Sequence, residues 1–67
     1  MEINALIGET AGQVWQVLSS DGPQTLPQLK RKLDGTAPFL DFAVGWLARE
    51  EKVDIDRASK TFRLRLK

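Results

Sequence analysis

From Thr36 to Val53 the chain reads T-A-P-F-L-D-F-A-V-G-W-L-A-R-E-E-K-V, and this stretch decides how everything around it is read. Leu40, Ala43, Val44 and Leu47 fall at i, i+3, i+4 and i+7, the spacing of a helix face turned to a core. Thr36 suits an N-cap, and Pro38 would lie in the first turn, where a missing N–H costs nothing. The stretch therefore reads as one helix that hands the chain on to a different kind of element.

That element begins after Lys52, where the apolar period drops to two. Val53 and Ile55 alternate with Asp54 and Asp56; Phe62, Leu64 and Leu66 alternate with Arg63 and Arg65. This is a β-hairpin, with Arg57-Ala58-Ser59-Lys60 as its turn. A four-residue turn sets Asp54 opposite Arg63 and Ile55 opposite Phe62. Arg63 is then a cross-strand ion-pair partner, a contact worth some tenths of a kcal/mol.

Upstream, Pro27 to Leu33 reads as a short helix with Leu26, Leu29 and Leu33 facing inward. Asp34-Gly35 forms the bend between it and the long stretch. Gln24 to Leu26 is extended, because the residue before Pro27 is pushed towards β geometry. The first helix runs from Ile3 to about Ser20 on a stripe of Ile3, Ile7, Ala11, Val14 and Leu18, widened by Leu6 and Val17. Gly22 suits a left-handed cap and Pro23 cannot continue the helix. Gly8 and Gly12 sit one turn apart inside it, each costing about 1 kcal/mol relative to Ala. Such a ridge admits a close neighbour: either Trp46 and Trp15 packed within the domain, or a glycine-faced dimer contact. Lys30, Arg31 and Lys32 are consecutive and fan around their helix, as a solvated face or as phosphate contacts.

Three helices followed by a two-stranded wing make an α+β, mainly α, winged helix-turn-helix, a single domain over residues 1–67, with a short third strand allowed before the second helix. Leu18, Leu29, Leu40, Val44, Leu47, Ile55 and Phe62 are its expected core.

Composition narrows the function. The 67 residues have 42% apolar and 28% charged side chains, as in a globular chain rather than a disordered one. There is no cysteine and no histidine, which removes thiolate ligands, disulfides, the commonest general base and the commonest metal ligand. Ser19, Ser20 and Ser59 have no base arranged with them, and no phosphate-binding glycine loop occurs. The expectation is a non-enzyme with no catalytic, cofactor-binding or metal residues, no small-molecule ligand and no membrane span. The Met1-Glu2-Ile3-Asn4 start lacks the basic residues of a signal peptide, which points to the cytoplasm.

The net charge of +1 is unevenly placed. Residues 36–51 carry Arg49 against Asp41, Glu50 and Glu51, whereas residues 52–67 carry six basic groups against Asp54 and Asp56. In a winged helix the third helix enters the major groove and the wing touches the backbone. With Leu40, Ala43, Val44 and Leu47 inward, the outward face holds Phe39, Asp41, Phe42, Gly45, Trp46 and Arg49. Base edges call for hydrogen-bonding side chains, and this face offers three aromatics, a carboxylate, a glycine and one arginine. Phe39, Phe42, Trp46 and Arg49 are accordingly the candidate protein-interaction residues, towards a protein partner or a homodimer. Arg57, Lys60, Arg65 and Lys67 are the candidate nucleic-acid contacts, for which DNA binding would be weak and salt-sensitive. A balance this close to neutral is below the basic footprint of most DNA-binding modules.

The sequence also resembles a family of small bacterial and archaeal winged helix-turn-helix domains of unestablished function. The resemblance is carried by Ile7-Gly8-Glu9, Ala11-Gly12 and Val14-Trp15 in the first helix, and by Gly45-Trp46-Leu47-Ala48-Arg49-Glu50 with Lys52 and Val53 at the end of the third. It spans essentially the whole chain and implies the fold, with no catalytic residues to carry over. One departure is the hairpin tip, which lacks the glycine expected there.

Overall fold

The computed structural model describes residues 2–33 and 39–67. In chain order the elements are α1 (Ile3–Asp21), β1 (Gln24–Thr25), α2 (Leu26–Lys32), α3 (Leu40–Arg49), β2 (Val53–Ala58) and β3 (Thr61–Leu66). The strands form one antiparallel sheet in the order β1-β3-β2. The three-helix-plus-wing expectation holds, and the extended segment before α2 is a true strand paired with β3.

The ends of the elements have local causes. Gly22 takes φ +80° and its N–H donates to the Leu18 carbonyl at 3.0 Å, closing α1. The Gln24 side chain, buried beneath this turn, donates from Nε2 to the Asp21 and Gly22 carbonyls, both at 3.4 Å. Thr25 opens α2 with a reciprocal capping box. Its hydroxyl accepts the Gln28 N–H at 3.3 Å, and Gln28 Oε1 accepts the Thr25 N–H at 2.8 Å, satisfying two donors that the helix start leaves orphaned.

α3 is shorter than the stretch from Thr36 to Val53 implied. It starts at Leu40 with Phe39 at its N-cap in the left-handed region, φ 58° and ψ 38°, and no side-chain cap. Asp34, Gly35, Thr36 and Pro38, read from sequence as bend, cap and first turn, lie outside the described residues. At the other end, the Lys52 N–H donates to the Leu47 carbonyl and the Glu51 N–H to the Ala48 carbonyl, each at 3.0 Å. Glu51 carries φ 58°. This is the Schellman arrangement with a glutamate where glycine is usual, and it stops α3 four residues before Val53.

The hairpin register differs from the expected one by two residues. Val53 faces Leu66, Asp54 faces Arg65, Ile55 faces Leu64 and Asp56 faces Arg63. The loop is the two residues Ser59-Lys60, since Ala58 pairs with Thr61. A two-residue loop needs a primed turn with positive φ, and Ser59 supplies it at φ 57°. Left-handed backbone costs a side-chain-bearing residue roughly 1–2 kcal/mol. Ser59→Gly is therefore expected to raise stability by up to about 1 kcal/mol, read as a higher urea midpoint at unchanged slope.

Ala11, Val14 and Leu18 of α1, Leu29 of α2, Leu40, Ala43, Val44 and Leu47 of α3, and Val53 and Leu64 of the hairpin form the core, with Ile7, Val17, Leu26, Leu33, Ala48 and Leu66 packed around it. Two expected members are absent. Ile55 and Phe62 are 40 and 42% exposed. They lie on the inner face with Val53, Leu64 and Leu66, but Ile55 is on the edge strand β2 beside the fully buried Leu64, and Phe62 pairs with Arg57 one rung further towards the tip on that face. Ile3 is likewise exposed, at the outer end of α1.

Candidate functional site

The outward side of α3 is where the sequence placed the functional residues. Two inward turns, Leu40-Ala43-Val44-Leu47, fix the helix against the core and so fix what the other side presents. Phe39, Phe42 and Trp46 are 39, 61 and 44% exposed. The rings of Phe39 and Phe42 stack with centroids 5.9 Å apart and planes 4° from parallel. The left-handed turn at Phe39 sets its backbone just ahead of the helix, within reach of Phe42 one turn on. Lys52 holds its ammonium 5.7 Å from the Trp46 ring centroid, a cation–π distance. Arg49 is exposed and forms no ion pair among the described residues.

The aromatic flank adjoins α1. A groove of about 580 Å³ lies between the two helices, lined by Asn4, Ile7 and Gly8 on one side and Phe42 and Trp46 on the other. Further along, a second hollow of about 330 Å³ is bounded by Gly12, Trp15 and Lys52 among others. Trp15 is 45% exposed. A Cβ placed on Gly8 or Gly12 would meet nothing within 4 Å. Of the two readings of the ridge, packing within the domain is therefore set aside: Trp46 borders the groove without filling it. The opposite flank of α3 meets the hairpin, where Leu26, Asp41, Val44, Ile55, Phe62 and Leu64 line an apolar hollow of about 340 Å³. Sequence reasoning missed this second patch by assigning Ile55 and Phe62 to the core. The shorter turn separates the two residues, so that Phe62 pairs with Arg57 and Ile55 with Leu64.

The wing cations are placed very differently from one another. Arg65 reaches Asp54 at 3.7 Å and Asp56 at 3.5 Å, and Lys67 reaches Glu51 at 3.2 Å and Asp54 at 3.9 Å. The expected Asp54–Arg63 pair is replaced by Asp54–Arg65, because the register is shifted. Arg57 lies 6.0 Å from the Phe62 ring centroid. Arg57, Lys60 and Arg63 have no ion-pair partner among the described residues. In α2, Lys32 is tied to Asp21 at 2.7 Å. Among the described residues there is no cluster of three or more carboxylate, histidine or cysteine side chains able to hold a metal ion, and no helix is long and apolar enough to cross a membrane.

A family model described as "Winged helix-turn-helix domain (DUF2582)" matches residues 1–66. The chain belongs to this family. An uncharacterized protein of Methanocaldococcus jannaschii, MJ1608, is 36% identical over 64 residues, covering 91% of this chain and 90% of that one. The solution NMR structure of protein BT2368 from Bacteroides thetaiotaomicron superimposes with a TM-score of 0.80 at 34% identity, over 97% of this chain and 79% of that one. The DUF2582 assignment establishes the winged helix fold. A fold of this kind hosts both DNA and protein binding, so the use of this one is argued from its surface.

Proposed function

We propose that this DUF2582 domain is a non-catalytic interaction module that associates through the α1–α3 aromatic face, and that it does not read DNA sequence. One observation carries the reading. The side of α3 that a winged helix would lay in the major groove exposes Phe39, Phe42 and Trp46 beside an open groove, with Arg49 as the one cation within the helix and Lys52 held over the Trp46 ring. Contiguous exposed apolar surface marks association sites, and base edges reward hydrogen-bonding side chains that this face lacks.

DNA binding through the wing is the alternative, favoured by the unpaired Arg57, Lys60 and Arg63. The same hairpin argues against strength, because Arg65 and Lys67 are already neutralised by Glu51, Asp54 and Asp56. Three free cations support about three phosphate contacts, so log K against log salt should fall with a slope of roughly −3. A titration of labelled duplexes at low and moderate salt is expected to give weak, sequence-independent binding with that slope. Nanomolar affinity for one operator, with a single base change costing about 1–3 kcal/mol, would overturn the proposal.

A further inference from the structure

We infer that the partner of the α1–α3 face is a second copy of this chain, docked about a twofold axis so that Phe42 and Trp46 of each copy lie over the Gly8–Gly12 row of the other. The inference rests on the interaction reading above and names its occupant.

A twofold contact uses one patch as both knob and hole, and this patch contains both. The knobs are the exposed rings of Phe42 and Trp46 on α3. The hole is the strip of bare backbone at Gly8 and Gly12, open to solvent on the neighbouring face of α1. Each copy's own rings stand at the groove's edge, so they are placed to be exchanged across the axis.

The area suits a weak, concentration-dependent association. Trp15, Phe39, Phe42 and Trp46 are 45, 39, 61 and 44% exposed; at about 200 Å² per aromatic residue they offer roughly 400 Å² per copy. Used from both sides this is about 800 Å², below the roughly 1,000 Å² of a stable specific interface and in the range of a weak one. Asn4, Ile7 and Gly8 line the same groove. The hairpin patch has only Ile55 and Phe62 as large exposed residues and falls well short.

Charge does not oppose the contact. The ionisable groups around the face are Glu9, next to the glycine row on α1, with Asp41, Arg49 and Lys52 on the α3 side and Lys30 beside Phe39 and Phe42. Neither Glu9 nor Arg49 is held in an ion pair among the described residues. A border of mixed sign lets a copy meet its own image with opposite charges in reach, which fixes orientation.

The test is sedimentation equilibrium of the full chain from low to high micromolar concentration, for the parent, Gly8→Leu, Gly12→Leu and the Arg57→Ala/Lys60→Ala double variant, each paired with a thermal melt at the lowest concentration. A Cβ at either position meets nothing within 4 Å, and leucine is the better helix former. Both leucine variants should therefore melt no lower than the dilute parent. The parent should approach twice its 7.5 kDa chain mass. Each leucine variant should show a dissociation constant raised at least about tenfold, and the wing variant should match the parent. A parent that stays at 7.5 kDa without binding DNA overturns the second copy and leaves the interaction reading standing. A dimer indifferent to both leucines overturns the placement of the interface. Tight operator binding in the DNA titration overturns the interaction reading itself.

Discussion

Leu47→Ala should bring this domain close to its unfolding midpoint at room temperature. Leu47 is 2% exposed and sits in the one cluster that joins α1, α2, α3 and the hairpin. Truncating a buried leucine costs about 2–5 kcal/mol, the transfer term plus the cavity left behind. A core of this size supplies roughly 3–5 kcal/mol of net stability in a chain of under about 70 residues, so the loss is of the same order as the whole. The effect is large because Leu47 is among the largest fully buried side chains of the core. Chemical denaturation should show a folding baseline that is barely populated without denaturant. Ile55→Ala is the comparison, since Ile55 is also a large aliphatic residue read as core from sequence but is substantially exposed; it should cost distinctly less. Equal losses at the two positions would mean that Ile55 is packed and the core is drawn wrongly.

The difference between those two residues shows what the sequence could and could not reveal. Helix periodicity is a local signal, and it located α1, α2 and the inward face of α3 correctly, down to Leu40, Ala43, Val44 and Leu47. Strand alternation located β2 and β3 and correctly put Val53, Ile55, Phe62, Leu64 and Leu66 on one face. Alternation says nothing about which residues of an inner face are covered, and there the reading failed. The turn failed for a related reason. Arg57-Ala58-Ser59-Lys60 reads as a four-residue turn, whereas the loop is two residues and Ser59, with no glycine present, accepts the left-handed backbone itself. Glu51 does the same at the end of α3, and Phe39 at its start. All three are exposed residues at the ends of elements, and no side-chain pattern announces their left-handed backbone. The capping box of Thr25 and Gln28, by contrast, was written in the T-x-x-Q spacing and went unread.

The candidate site was legible in part for the same reasons. The i, i+3, i+7 placement of Phe39, Phe42 and Trp46 opposite the core stripe put them on the outer face of α3, and that is where they lie. Whether α1 covered them depended on the crossing of two helices, which sequence does not specify. The charges were less legible still. Arg65 and Lys67 look as free as Arg57 and Lys60 in the linear chain, and only the two-residue register shift brings Asp54, Asp56 and Glu51 against them.

Phe42→Ala should produce the opposite pattern to Leu47→Ala: association lost and the fold kept. Phe42 is the most exposed of the large apolar residues, and its one ring contact within the domain is the stack on Phe39. An aromatic pair contributes about 0.5–1.5 kcal/mol when well buried, and this one is open to water, so the melt should shift only slightly. At an interface centre the same truncation removes a side chain of the hot-spot class, where losses reach about 2 kcal/mol or more, near 30-fold in a dissociation constant. Trp46→Ala should act in the same direction, with the added release of Lys52 from its ring. Neutralising Arg57 and Lys60 should alter neither mass nor melt, because both project from the tip of the hairpin, away from the α1–α3 groove. Sedimentation and melting of the Phe42→Ala and Leu47→Ala variants side by side therefore separate packing from recognition. A Phe42→Ala variant that melts as poorly as Leu47→Ala, from a parent that is monomeric throughout, would place Phe42 in the fold and remove the interaction surface.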